Sequence, residues 1–278
     1  MSPDTTQPSQ AERAQLFRAL HAGPDLLLLP NPWDVGSARL LASLGFSALA
    51  TTSGGFAATL GRLDGSVTRD EALAHGAAVA AATSLPVSAD LENAFADEPA
   101  GVAETIRLAA AAGLAGCSVE DFTGRPDEPI YDLGLATDRI AAAAEAARAT
   151  PGPLVLTARA ENYLHGRPDL DDTIRRLQAY QEAGADVLYA PGLTSLADIR
   201  TLVSVVDQPV NVLALPGAPA VPELAAAGVR RVSVGSAFAF AALGMAVQAA
   251  RELREQGSYG FLAQAAVGRA AIREAFTS

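Results

Sequence analysis

Leu85-Pro86-Val87-Ser88-Ala89-Asp90-Leu91-Glu92-Asn93-Ala94-Phe95 begins as an apolar, strand-like run and ends in two carboxylates two residues apart. Side chains at i and i+2 of a strand point to the same side, so the pattern predicts that Asp90 and Glu92 face one place. Like charges held together repel unless a cation or a shared proton lies between them. Oxygen ligands favour a hard divalent ion such as magnesium or manganese. The stretch therefore reads as a buried strand with a charged site at its C-terminal end.

Runs of the same kind recur near residues 26–30, 46–51, 115–120, 154–159, 186–190, 210–214 and 230–235, making eight with 86–90. Alanine-rich helical stretches alternate with them near 35–44, 70–83, 100–112, 136–149, 171–183, 195–205, 220–227 and 236–255. That alternation predicts an α/β fold with a parallel sheet and crossover helices. Eight repeats predict closure into a (β/α)8 TIM barrel, for which about 250 residues is usual. Gly45, Gly113, Gly184 and Gly228 each stand where a helix ends and a strand begins, as expected of residues closing helix C-termini in the left-handed conformation. These corners define one end of the barrel, and chemistry is expected at the other.

Residues 1–15 read as a flexible N-terminal segment, 16–255 as the barrel and 256–278 as a C-terminal helical extension. The apolar Phe261, Leu262, Val267, Ile272 and Phe276 predict that the extension packs on this subunit or on another.

Half of the 278 residues are hydrophobic and 18% are charged, enough to bury a large core. The net charge of −11 argues against a nucleic-acid or anionic-membrane partner. A lone Cys117 excludes an intramolecular disulfide, and with no charged leader before an apolar run the cytoplasm is expected. All 20 basic residues are arginine. The missing lysine removes Schiff-base aldolase chemistry, pyridoxal-phosphate attachment and the P-loop. His21, His75 and His165 would all be needed for a three-histidine zinc site, which is not expected.

The polar strand ends are Thr51-Thr52-Ser53-Gly54-Gly55, Asp90 with Glu92, Glu120-Asp121, Arg159-Ala160-Glu161 and Asn211. The period of two sends Glu120 and Ser118 inward, and Cys117 outward to the helices as an inert thiol. Asp90, Glu92 and Glu120 form a three-carboxylate set suited to a divalent cation, directly or through water. Helix capping or pairing with arginine is the competing account. Ser53-Gly54-Gly55 offers a hydroxyl and backbone N–H groups to an anion. Arg159 can clamp a carboxylate or stabilise an enolate oxygen, or else pair with Glu161.

These motifs, in this order, resemble the isocitrate lyase/phosphoenolpyruvate mutase superfamily from about Asn31 to Ala250. Asp90-Leu91-Glu92-Asn93-Ala94-Phe95 stands where the family commonly has Asp-Ala-Asp-Thr-Gly-Tyr. Gly116 to Asp121 resembles its Glu-Asp strand, Ala158-Arg159 its Ala-Arg strand, Thr52 to Gly55 its Ser-Gly turn, and Leu60 to Asp64 its Leu-Gly-x-x-Asp segment. The resemblance implies a magnesium-dependent barrel, with manganese as alternative ion, acting on a small 2-oxo or 2-hydroxy carboxylate through an enolate.

By the same resemblance, Asp90, Glu92 and Glu120 hold the metal and Ser53, Gly54 and Gly55 bind the substrate carboxylate. Arg159 stabilises the oxyanion, and Asp64 sits near the reacting centre. Asn211 joins the substrate-binding residues from its strand-seven position. Family members form tetramers from dimers that exchange the last barrel helix, here after Ser236, so a homo-oligomer, dimer or tetramer, is expected.

The family's lid follows the Glu-Asp strand, with Lys-(Lys/Arg)-Cys-Gly-His in the lyases and lysine plus asparagine in the mutases. Here residues 122–132 carry no lysine and no cysteine. A carbon–carbon lyase of a 2-oxo or 2-hydroxy acid is the leading expectation, with Tyr131, Tyr163 or lid-delivered water as proton source. Phosphonate chemistry of the mutase or phosphonopyruvate hydrolase kind, or a non-catalytic carboxylate-binding barrel, are the alternatives.

Overall fold

A computed structural model describes residues 7–277. Eight parallel strands make one sheet: β1 Leu27–Leu29, β2 Leu49–Ala50, β3 Val87–Asp90, β4 Gly116–Glu120, β5 Val155–Arg159, β6 Val187–Tyr189, β7 Val210–Leu213 and β8 Arg231–Ser233. Neighbours pair in sequence order, and β8 returns to β1. The remaining seam carries a hydrogen bond from the Ala50 amide to the Pro30 carbonyl at 3.1 Å. The sheet is thus a nearly closed (β/α)8 barrel, as the eightfold alternation predicts.

The helices are α1 Gln10–Ala22, α2 Val35–Ser43, α3 Ser53–Thr59, α4 Arg69–Ala81, α5 Pro99–Ala111, α6 Leu133–Arg148, α7 Leu170–Ala183, α8 Leu196–Ser204, α9 Val221–Ala226, α10 Ala237–Gln256 and α11 Leu262–Thr277. Alternation along the strands sorts the side chains. Cys117, Val119, Leu156, Ala158, Leu188, Val210, Val212 and Val232 face outward into the large apolar layer under the helices. Cys117 is fully buried there, and burial pushes its thiol up to about 12, so it is inert as expected. All four corner glycines have positive φ, and at Gly184 a Cβ would come within 2.1 Å of the Arg148 guanidinium.

The flexible segment expected over 1–15 does not reach that far; residues 1–6 lie outside the described residues. A capping box, with Ser9 accepting from the Glu12 amide and Glu12 accepting from the Ser9 amide, starts α1 at Gln10. Arg13, Ala14 and Phe17 are buried. Phe17 plugs the barrel floor with Leu27, Leu29, Ala48, Val155 and Val187. A Cβ on Gly116 would lie 2.8 Å from the Phe17 ring, so the plug requires glycine at that strand position.

The C-terminal end departs from a self-sufficient barrel. α10 has 20 residues but buries only Ala239. It leaves Phe240, Leu243 and Val247 about half exposed, and Leu28 on the outer side of β1 is also exposed. α11 follows at Leu262–Thr277 and packs on α2.

Candidate active site

Three strand ends put one guanidinium among carboxylates. In register, Glu120 on β4 lies beside Arg159 on β5, and Asp90 on β3 lies beside Ser118. Arg159 donates from Nη1 to Asp90 Oδ1 at 2.8 Å and from Nε to Glu161 Oε1 at 2.8 Å, and Nη2 lies 3.1 Å from Glu120 Oε2. Its side chain is 14% exposed and that of Glu161 is 3%, so these pairs are largely shielded from water. The arginine pairing weighed from sequence is therefore present, with Glu120 and Asp90 as well as Glu161.

Asp90 is fixed further. Its Oδ2 accepts from the Ser53 amide at 3.2 Å, Ser118 donates to Oδ1 at 3.4 Å, and Thr51 Oγ1 accepts from its amide at 2.9 Å.

Glu92 does not arrive by strand alternation. β3 ends at Asp90, and Glu92, with φ of 50°, lies in a left-handed turn beyond it. It still comes close to Asp90, for burial first and then the Asp90 and Asp64 charges push its carboxyl up to about 7. Burial raises Glu120 well above the ordinary carboxylate range, with Glu161, Asp90 and Glu92 adding and Arg159 opposing. Burial likewise pushes Glu161 to about 7.

One guanidinium thus faces an excess of carboxylate charge. Hard oxygen donors with surplus negative charge suit magnesium or manganese. Among the described residues, however, no three carboxylate, imidazole or thiol groups are gathered as a finished cage. Asp90 and Glu120 turn toward Arg159 instead, a donor set that fits partly water-mediated ligation.

Below these groups lies a cavity of about 190 Å³ whose walls include Ser53, Asp64, Asp90, Arg159, Tyr189 and Arg231. A larger one, about 730 Å³ near Arg39 and Ala275, has Arg39 as its only ionisable wall residue among the described residues, so size does not mark the chemistry. Ser53, Gly54 and Gly55 open α3 rather than forming a free turn, with Thr52 Oγ1 accepting from the Gly55 amide. At Gly54, just behind the wall, a Cβ would lie 2.8 Å from Ser236 Oγ and 3.0 Å from Asp64 Oδ2, so glycine leaves these two wall residues their places. At Gly55 it would lie 2.5 Å from Thr52 Cγ2, so that residue serves packing.

Asn211 is not on the cavity wall. It is 1% exposed, donates to Ser233 Oγ at 2.9 Å and accepts from Arg231 Nε at 2.9 Å. The sequence shows its inward strand position, but nothing local to it marks Arg231 as the group that claims its carbonyl. Arg231 is 3% exposed and also donates to Thr157 Oγ1 at 3.1 Å. His21 lies below it: Nδ1–H donates to the Phe17 carbonyl, leaving Nε2 to accept from Arg231 at 3.2 Å. Burial first, then Arg231, pushes His21 down to about 3, consistent with a neutral ring.

Of the phenols considered as proton donors, Tyr131 gives its hydroxyl proton to Asp97, and neither it nor Tyr163 lines the cavity. The loop of residues 122–132 is folded at its base. Phe122 bridges to Ile130, and its ring stacks on His165 with centroids 3.7 Å apart.

Residues 17–254 match the family model described as phosphoenolpyruvate phosphomutase. A solved lyase/mutase of Burkholderia cenocepacia J2315, assigned no more closely than that, is 56% identical with a TM-score of 0.92, covering 95% of each chain. The oxaloacetate decarboxylase of Chromohalobacter salexigens is 30% identical over 260 residues, 89% of this chain and 88% of that one. A solved 2,3-dimethylmalate lyase of the PEP mutase/isocitrate lyase superfamily is 26% identical with a TM-score of 0.82, covering 92% of this chain and 90% of its own.

Proposed function

The chain belongs to the isocitrate lyase/phosphoenolpyruvate mutase superfamily, and from that premise we propose that it is a magnesium-dependent lyase breaking a C–C bond of a 2-oxo or 2-hydroxy carboxylic acid through an enolate. The oxaloacetate decarboxylase and the 2,3-dimethylmalate lyase similar to it are both lyases. The observation that carries the reading is Arg159 at the mouth of the cavity, tethered at Nε by Glu161 with Nη1 and Nη2 directed toward Asp90 and Glu120.

Asp90, Glu92 and Glu120 would hold magnesium, or manganese in its place, partly through water. When bound, the ion supplies Lewis-acid stabilisation of negative charge on the substrate's 2-oxygen. Arg159, aimed in advance by Glu161, stabilises the same developing charge. A preorganised donor in a water-poor site costs no reorganisation when the bond breaks. The Ser53 hydroxyl and the Gly54 amide receive the substrate carboxylate, with Asp64 beside the reacting centre; the Gly55 amide, expected to join them, is already given to Thr52. In decarboxylation of a 2-oxo acid the electrons of the C–C bond pass into an enolate with its charge on the 2-oxygen, carbon dioxide leaves, and the enolate takes a proton. In retro-aldol cleavage of a 2-hydroxy acid a carboxylate of the site takes the hydroxyl proton, the 2-oxygen becomes a carbonyl, and the electrons of the C–C bond pass into the enolate of the departing acid, which takes a proton. Tyr131 and Tyr163 do not line the cavity, so water entering at the mouth, or the Tyr189 phenol on the wall, supplies the proton.

α10 and the bare outer side of β1 support a homo-oligomer in which α10 is exchanged between copies. The exposed Phe240, Leu243 and Val247 are the side chains such a contact would cover. Light scattering on the purified protein should give a dimer or tetramer, and a monomer would refute this part.

The catalytic reading is tested by proton and phosphorus NMR on metal-stripped protein, with and without magnesium, over oxaloacetate, 2,3-dimethylmalate, isocitrate, 2-methylisocitrate, phosphoenolpyruvate and phosphonopyruvate. Magnesium-dependent cleavage of a carbon acid supports it. Phosphorus-bearing products assign mutase-type chemistry instead, and tight binding without turnover assigns a binding barrel. Unchanged metal-dependent turnover in Glu92→Ala would refute the ligand assignment.

A further inference from the structure

Glu92, Ala94 and Phe95 have φ of 50°, 60° and 57° and are the only non-glycine residues with positive φ among the described residues. The left-handed region crowds a Cβ against the backbone. Such a run persists only where its surroundings over-determine it. Here it turns the chain after β3 and brings Glu92 back beside Asp90.

Arg139, on α6 behind the run, is 1% exposed. Its hydrogen bonds go to main-chain carbonyls: Nη2 donates to Asn93 and, at 3.0 Å, to Ala96, and Nη1 donates to Glu120 at 3.4 Å. Its guanidinium lies over the Tyr131 ring, 4.0 Å from the centroid. One planar, always-charged fork therefore joins the left-handed run to the backbone of Glu120, a geometry that a lysine ammonium cannot reproduce.

We propose that Arg139 is a positioning residue that clamps segment 92–96, which contains the three left-handed residues, to the end of β4 and so sets the relation of Glu92 to Glu120. The proposal rests on the reading that these carboxylates serve a divalent ion. Outer-shell groups that orient ligands typically change metal affinity about 10- to 100-fold when removed. Ala94→Gly removes a Cβ from a left-handed position, so the segment needs the clamp less.

The test is manganese binding by electron paramagnetic resonance on the substrate-free protein, with far-ultraviolet circular dichroism to follow folding. Wild type, Arg139→Gln, Arg139→Lys, Ala94→Gly and the Ala94→Gly/Arg139→Gln double variant are compared. The expected result is about 10- to 100-fold weaker manganese binding in folded Arg139→Gln, with most of the loss recovered in the double variant. Arg139→Lys keeps the charge without the fork and should also bind more weakly, which preserves the test if the glutamine variant does not fold. A lowered melting temperature with unchanged manganese affinity would overturn the proposal while leaving the metal reading intact. Absence of manganese binding in the wild type would overturn both.

Discussion

Replacing Arg159 with methionine keeps bulk and removes the charge at the centre of the site. Asp90, Glu120 and Glu161 would each lose a cation 2.8–3.1 Å away while remaining largely buried. Removing one partner of a buried pair typically costs about 3–5 kcal/mol. Three carboxylates share this partner, but they can protonate in response, so we expect about that cost at neutral pH rather than three times it. At roughly 2–4 °C per kcal/mol for a protein of this size, the melting temperature should fall by about 6–20 °C. The loss should shrink toward pH 5, where Glu92 and Glu161, both at about 7 in the wild type, carry protons. Loss of a preorganised oxyanion donor should lower kcat by about 10²–10³. Thermal unfolding over pH 5–8 and steady-state kinetics at saturating magnesium are the assays. A variant that unfolds like wild type at pH 7.5, or keeps kcat within threefold, would refute the assignment of Arg159 as the charge on which the site is balanced.

Phe17→Ala should cost about 3–5 kcal/mol in urea unfolding, because it empties the barrel plug; a cost below about 1 kcal/mol would mean that α1 does not close the floor. His21, held near 3 against an ordinary 6.5, gives stability that is full above pH 6.5 and lost as pH falls toward 3, since the unfolded chain takes the proton first. His21→Gln should flatten that part of the pH profile, and an unchanged slope would refute it. Glu92 has the opposite sign. Held near 7, it keeps a proton that the unfolded chain releases above 4.5, so its contribution is present below 4.5 and lost as pH rises through 7. In metal-free protein, Glu92→Gln should remove this loss, and magnesium should raise the wild-type melting temperature more at pH 8 than at pH 5; equal shifts would refute the link between metal and carboxylate.

The barrel was legible because its signals are local. Apolar runs with inward and outward alternation mark the strands, and Gly45, Gly113, Gly184 and Gly228 mark the returns. α1 was missed although Ser9 and Glu12 spell a capping box, because the polar residues before it drew the segment toward disorder. α3 was missed because two of its seven residues are glycines, poor helix formers in isolation. Asp90, Glu120 and Arg159 were readable at strand ends. Glu92 was placed beside Asp90 by the wrong geometry, since nothing local in Leu91-Glu92-Asn93-Ala94 announces the left-handed turn that Arg139 holds 46 positions from Asn93. The sequence shows the inward position of Asn211, which suggests a substrate contact, but not that Arg231 occupies it, since Arg231 is held in turn by Thr157 and by His21, 210 positions away.

The most direct measurement of the enolate claim is proton NMR in deuterated water on the carbon acid that turns over, with and without magnesium. The account predicts magnesium-dependent cleavage in which the carbon released by the broken bond carries one solvent deuteron, and a large loss of rate in Arg159→Met. Turnover that ignores magnesium, or a product without deuterium at that carbon, would contradict it.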